Sequence, residues 1–142
     1  MKNLINAATI LLAMLSMSNS SCDKGGIEGV QNGRFGSPIA LGLNEKAIFS
    51  ERSKGMVMTV GSLADSRCAK DVQCVWAGNA QVQIQLKAAD GTDGNLDLCI
   101  GQCGKELKQA DTVSLTLADI RYTIILSDVN DSNKAVFSVT TN

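Results

Sequence analysis

Ala80-Gln81-Val82-Gln83-Ile84-Gln85-Leu86-Lys87 is the stretch that decides the fold. Val82, Ile84 and Leu86 share one parity, and Gln81, Gln83, Gln85 and Lys87 share the other. Successive side chains of a strand point to opposite faces, so a period of two gives one apolar face and one wet face. The segment is expected to be a strand packed on a core by one side only.

Shorter runs of the same kind surround it, at residues 39–43, 46–49, 56–63, 95–100, 112–117, 122–129 and 135–140. Between them stand Leu43-Asn44-Glu45, Asp90-Gly91-Thr92-Asp93-Gly94 and Asn130-Asp131-Ser132-Asn133, rich in residues that tolerate tight turns. Seven or eight short strands at this spacing predict an all-β domain. The expected form is a small antiparallel β-sandwich, Ig-like or Greek-key, with a small β-barrel as the alternative. No segment of residues 38–142 carries the pattern of a long helix.

Toward the N-terminus the character changes. Residues 1–21 combine Lys2 with an apolar run over residues 7–17 and then small polar residues, the pattern of a secretory signal. That run is too short to cross a bilayer, which takes about twenty apolar residues. It ends on Ser20-Ser21-Cys22, which resembles the lipobox of bacterial lipoproteins, although Asn19 stands where that pattern usually has an aliphatic residue. The resemblance implies that Cys22 becomes the N-terminus and carries a thioether-linked diacylglycerol, whose acyl chains anchor the protein to a membrane. The alternative is ordinary signal-peptidase cleavage at the small residues Ser18 and Ser20, which would release a secreted protein. Residues 22–37 contain Gly25, Gly26, Gly29, Gly33 and Gly36 without apolar periodicity and read as a tether, which leaves 38–142 as the β domain. The expected address is the bacterial envelope, the outer membrane first.

Five cysteines are an odd number, and assigning Cys22 to lipid leaves Cys68, Cys74, Cys99 and Cys103 as an even set. An exported chain meets an oxidising compartment, so these four are expected as disulfides rather than zinc ligands. Of three connectivities, the local one, Cys68 with Cys74 and Cys99 with Cys103, is preferred. Each such loop contributes on the order of 2 kcal/mol in the chain-entropy model.

Composition narrows the function. Thirteen Lys and Arg face fourteen Asp and Glu, so no basic surface is available to neutralise nucleic-acid phosphates. The chain has no histidine, which removes the usual general base and the commonest transition-metal ligand. No nucleophile elbow, phosphate-binding loop or dinucleotide fingerprint is present, and no cofactor is expected. Asp90, Asp93 and Asn95, and Asp128, Asn130, Asp131 and Asn133, supply oxygen ligands of the kind calcium prefers. Hairpin turns use the same residues for backbone reasons, and no metal site is expected.

The most distinctive stretch is Asp65-Ser66-Arg67-Cys68-Ala69-Lys70-Asp71-Val72-Gln73-Cys74-Val75-Trp76-Ala77-Gly78-Asn79-Ala80. Asp65 is placed to accept a hydrogen bond from a backbone N–H two residues on and so start a turn. Trp76 lies two residues beyond Cys74, and in an extended segment both share a face. The expectation is a tryptophan packed on a disulfide in the core, with a ligand-stacking tryptophan as the alternative. Gly78 is expected at a bulge or a close backbone approach. The segment resembles the hallmark of a family of uncharacterised bacterial lipoproteins and secreted proteins: D-S-R-C-P, then a second cysteine in a C-[VI]-W-A-G context, leading into an alternating strand. Ala69 replaces the family's Pro, and Asn130 stands where the family often has Pro after the late strand. The resemblance implies a small β domain on a bacterial envelope and brings no established activity.

Two functional classes follow. One is a non-catalytic envelope lipoprotein that binds an envelope partner or serves structurally, with Arg67, Lys70 and Trp76 as the candidate binding loop. The other is a protease inhibitor presenting the loop closed by Cys68 and Cys74, with Arg67 offered to a trypsin-like enzyme.

Overall fold

The computed structural model describes residues 28–52 and 54–142; the expected signal segment, the lipobox and Cys22 lie outside the described residues. In chain order the strands are β1 (Val30–Gly33), β2 (Pro38–Leu41), β3 (Lys46–Glu51), β4 (Lys54–Asp65), β5 (Asn79–Ala88), β6 (Asp93–Cys103), β7 (Glu106–Lys108), β8 (Asp111–Leu117), β9 (Ile120–Val129) and β10 (Ala135–Thr141). They form a six-stranded sheet in the order β1-β3-β4-β5-β6-β7 and a four-stranded sheet in the order β2-β10-β9-β8. Neither sheet closes on itself or on the other, so the architecture is the sandwich and not the barrel.

The alternating stretch is the middle of this structure. Ala80, Val82, Ile84, Leu86 and Ala88 of β5 are buried, and every residue between them is exposed. Met56, Met58 and Val60 of β4 join them beneath the large sheet, and Tyr122, Ile124, Leu126, Phe137 and Val139 face them from the small one. Full burial of side chains of this kind stabilises by about 1.5–3 kcal/mol each, so the interior of the sandwich holds the domain together. On the outer face Gln83 donates to Asp97 at 3.1 Å, and the glutamine rows stay in water.

All eight strands expected from the sequence are present, and two more join them. Residues 30–33, read as part of the tether, form β1 and pair in parallel with β3. Phe35 follows, with its ring 5.3 Å from that of Phe49 and 6.2 Å from that of Tyr122. The tether reading of 22–37 is therefore corrected from residue 30 onward. An edge strand held by backbone bonds on one side needs no apolar alternation, and Val30-Gln31-Asn32-Gly33 has none. The same reason hides β7, three residues paired with the end of β6.

Two strands change parity. The register of β4 against β5 shifts between Val60 and Ser62, so Gly61 is an extra residue and Leu63 returns to the inner face. In β9 the partners of Val136 and Phe137 are Asp128 and Leu126, which makes Ser127 the extra residue and returns Val129 to the core. Bulges of this kind bend a strand and re-aim the side chains beyond them. Both lie toward the same end of the sandwich, where Asp65 and Asp128 emerge.

Tyr122 is fully buried, and its hydroxyl has no hydrogen-bond partner among the described residues. Burial, with the charge of Asp90 adding to it, holds the phenol above its ordinary pKa. A buried polar atom without a partner carries a desolvation penalty, and removing it leaves the ring's packing intact. Tyr122→Phe is accordingly expected to raise stability, by about 1 kcal/mol in urea unfolding. A loss of stability would show that the hydroxyl has a partner.

Candidate functional site

One end of the sandwich gathers the chemically distinctive residues. It is built from the turn at 42–45, the connection at 66–78, the hairpin turn after Cys103 and the turn at 130–134. Gly78 is the point where the strands meet most closely: a Cβ there would lie 1.8 Å from the carbonyl oxygen of Ser66. On its other side the Gly78 carbonyl accepts the N–H of Gln102 at 3.1 Å. Gly101, at φ +88°, leaves no room for a side chain against that same carbonyl oxygen. The close approach expected for Gly78 is thus the packing of β4, β5 and β6 as they run into the loops.

Cys68 and Cys74 are joined, as are Cys99 and Cys103, in the local pairing. The second disulfide lies inside β6, which continues through it instead of ending at residue 100 as the sequence reading had it. The Asp111 carboxylate accepts the N–H of Cys99 at 2.9 Å and the Lys108 ammonium at 3.1 Å. Burial works against the charge of Asp111, but these donors outweigh it and hold the carboxyl below its usual pKa.

Arg67 forms the other feature of this end. Asp65 accepts the backbone N–H of Arg67 at 3.0 Å, which is the turn expected there. Its two carboxylate oxygens also receive Nε at 2.9 Å and Nη2 at 2.8 Å of the same arginine. Nη1 reaches Asp128 at 3.0 Å, and Nη2 donates to the carbonyl of Val129. A planar guanidinium satisfied by a bidentate carboxylate, a second carboxylate and a carbonyl is held in one orientation. The hydrogen bonds from Arg67 hold the Asp65 carboxyl below its usual range.

A second tie runs parallel to it. Glu45 receives Lys134 Nζ at 2.8 Å, the N–H of Gly42 at 2.9 Å and Nε2 of Gln31 at 3.3 Å. The Gly42 hydrogen bond and then Lys134 lower its pKa. Arg67 and Glu45 thus both fasten loops of the large sheet to the β9–β10 hairpin. Between the 68–70 segment and that hairpin lies an open cleft of about 390 Å³.

Arg67, expected as an exposed basic residue, is folded inward with its side chain 28% exposed. Lys70 is the exposed cation of the loop, at 84%. Trp76 is corrected from core to surface: it is 65% exposed, Val75 is 95% exposed and Val72 is 60% exposed. Cys74 and Trp76 would share a face only in an extended strand, but β4 ends at Asp65 and β5 starts at Asn79, so residues 75–77 belong to neither. Val72 inside the disulfide ring, and Val75 and Trp76 directly after it, make an exposed apolar apex that follows the tied Arg67. Trp76→Ala is expected to change the unfolding free energy by no more than about 0.5 kcal/mol, whereas a core tryptophan would cost about 3–5 kcal/mol.

The oxygen-rich turns serve the backbone. Asp90 accepts the N–H of Thr92 at 2.9 Å and its hydroxyl at 2.7 Å. Asn130 accepts the N–H groups of Ser132 at 3.1 Å and Lys134 at 3.0 Å. Among the described residues no group of three or more Cys, Asp or Glu is placed to hold a metal ion. Sequence reasoning missed Asp128 and Glu45 as members of this end. Their partners lie 61 and 89 residues away, and no local spacing marks such pairs.

Compared with protein-family models, with curated proteins and with solved structures, the chain shows no match.

Proposed function

We propose that this chain is a non-catalytic lipoprotein of the bacterial envelope, anchored through Cys22, whose contact surface is the apolar apex of the loop closed by Cys68 and Cys74. The observation that carries the reading is the exposure of Val72 inside the ring closed by Cys68 and Cys74 and of Val75 and Trp76 directly after it. Large apolar side chains held rigidly in water are costly to solubility and mark contact sites. A rigid loop also loses little conformational entropy on binding. The two disulfides suit an extracytoplasmic setting. The lipobox-like Ser20-Ser21-Cys22 and the leftover fifth cysteine support the anchor.

The inhibitor reading asks for an arginine free to enter a protease pocket, and the ties of Arg67 to Asp65, Asp128 and Val129 do not favour it. Intact mass spectrometry of protein extracted from membranes, with and without reduction, tests the proposal. The expected mass is that of a chain beginning at Cys22 with acyl chains attached and two disulfides that open on reduction. A chain beginning elsewhere, or at an unmodified Cys22, rejects the anchor.

A further inference from the structure

We infer that the apex formed by Val72, Val75 and Trp76 docks on the lipid surface that carries the anchor, as a second and non-covalent membrane contact. The inference rests on the lipid-anchor reading of Cys22 and names the partner of the loop that reading singles out. Three observations lead to it, and each concerns position or chemistry at the same end of the sandwich.

The first is where the chain enters the fold. β1 runs parallel to β3 with Val30 opposite Lys46, and Lys46 lies opposite Thr59 of β4. Since β4 is antiparallel to β3 and ends at Asp65, the start of β1 faces the end of the sandwich that bears the Cys68–Cys74 loop. The carbonyl of Gly29 accepts the N–H of Lys46 at 2.6 Å, which fixes the entering chain at that level.

The second is length. Asp23 to Glu28 is all the chain between Cys22 and Gly29, a reach of at most about 25 Å when fully extended. Beyond the level of Val30, β4 continues from Thr59 to Asp65, which carries the loop about 15–20 Å farther toward the side from which the chain enters β1. Reach and projection are therefore of similar size. From the same level the opposite end of β4, at Lys54, lies five residues away, about 17 Å, so length admits either end and the direction of entry is what selects the loop end. A chain that enters β1 from the loop side brings that end of the sandwich first to a surface holding Cys22, and the apex is the part of the domain there.

The third is the chemistry of the apex. Trp76 and Val75 are exposed next to each other just after the disulfide ring, Val72 is exposed inside it, and Lys70 on that ring lies 3.8 Å from Asp131, with Asp71 beside it. Tryptophan favours the headgroup level of a membrane, where its ring has an apolar body and a polar N–H to satisfy. With Lys70 set against Asp131 and Asp71, the loop has no excess of positive charge, which suits a zwitterionic headgroup layer rather than a strongly anionic one. One braced loop supplies modest apolar area, which is too little to hold a protein alone and sufficient when a covalent anchor keeps it at the surface.

Trp76 is the single tryptophan of the chain and reports on its own surroundings. The full mature protein, purified from membranes in detergent, is reconstituted into phosphatidylcholine vesicles with and without bromine on the acyl chains, and its acylation is read by mass in the same sample. The expected result is a blue-shifted tryptophan emission that brominated lipid quenches, and loss of that quenching in the Val72→Asp, Val75→Asp double variant carrying the same acyl mass. Acylated protein whose emission is untouched by brominated lipid and open to aqueous acrylamide overturns the docking while leaving the anchor standing. Quenching that both aspartates leave unchanged overturns it as well, since Trp76 would then be near lipid without the apex engaging it. A mass without acyl chains rejects the anchor itself and the docking with it.

Discussion

Gly78→Ala is expected to be the most damaging single methyl group in the domain, lowering the unfolding free energy by about 3 kcal/mol or more. The new Cβ would stand 1.8 Å from the Ser66 carbonyl oxygen and 2.8 Å from the Arg67 nitrogen, both backbone atoms that no rotamer change can move aside. Ser66 is itself pinned, its N–H and hydroxyl both donating to the carbonyl of Asn79 at 2.8 and 3.0 Å. Retreat on the other side is blocked by Gly101, whose own neighbour is the Gly78 carbonyl. The strain must therefore travel into the segment carrying Arg67, and the Arg67–Asp128 tie is expected to loosen with it. Gly61→Ala supplies the control, because a Cβ at Gly61 meets nothing closer than 3.8 Å and that substitution is expected to stay within about 0.5 kcal/mol of wild type. Urea unfolding of both variants decides the matter: equal, mild effects would mean that the strands do not approach each other at Gly78 as described.

The contrast between what the sequence disclosed and what it withheld follows the range of the forces involved. β5 was legible because its signal is local: each of its residues declares a face by polarity alone. Gly78 was legible for a related reason, since a glycine next to an alternating strand has few uses other than close approach or a bulge. Trp76 was misread because parity was carried past the end of a strand into a loop, where consecutive residues have no fixed relation to the core. β1 and β7 were invisible because edge strands are held by backbone groups that every residue possesses. The Arg67–Asp128 and Glu45–Lys134 ties bridge elements brought together only by the stacking of two sheets, and the two bulges that aim Asp65 and Asp128 toward each other cost one residue each, which leaves no trace in composition.

Arg67 is where those long-range contacts matter most, and Arg67→Met is expected to destabilise the domain by about 2–3 kcal/mol at neutral pH. Methionine keeps much of the stem and removes the cation, so the carboxylates of Asp65 and Asp128 and the Val129 carbonyl lose their shared donor. The site is partly open to water, with Asp128 54% exposed, which screens the interaction and keeps the figure below that of a fully buried pair. The pH dependence separates this tie from simple packing. Asp65 has its folded-state pKa depressed, chiefly by the hydrogen bonds from Arg67. Its contribution is accordingly complete above the unfolded value of about 3.9 and is lost as pH falls through the lower, folded value. Wild type should lose that stability over this acidic window. Arg67→Met, lacking the interaction, has none of it to lose, so the two stability curves should converge as pH falls below 3.9. A gap that stays constant across the window would assign the loss to packing of the arginine stem. A converging gap would identify the guanidinium–carboxylate tie as what seats the loop, and with it the exposed side chains of Val72, Val75 and Trp76.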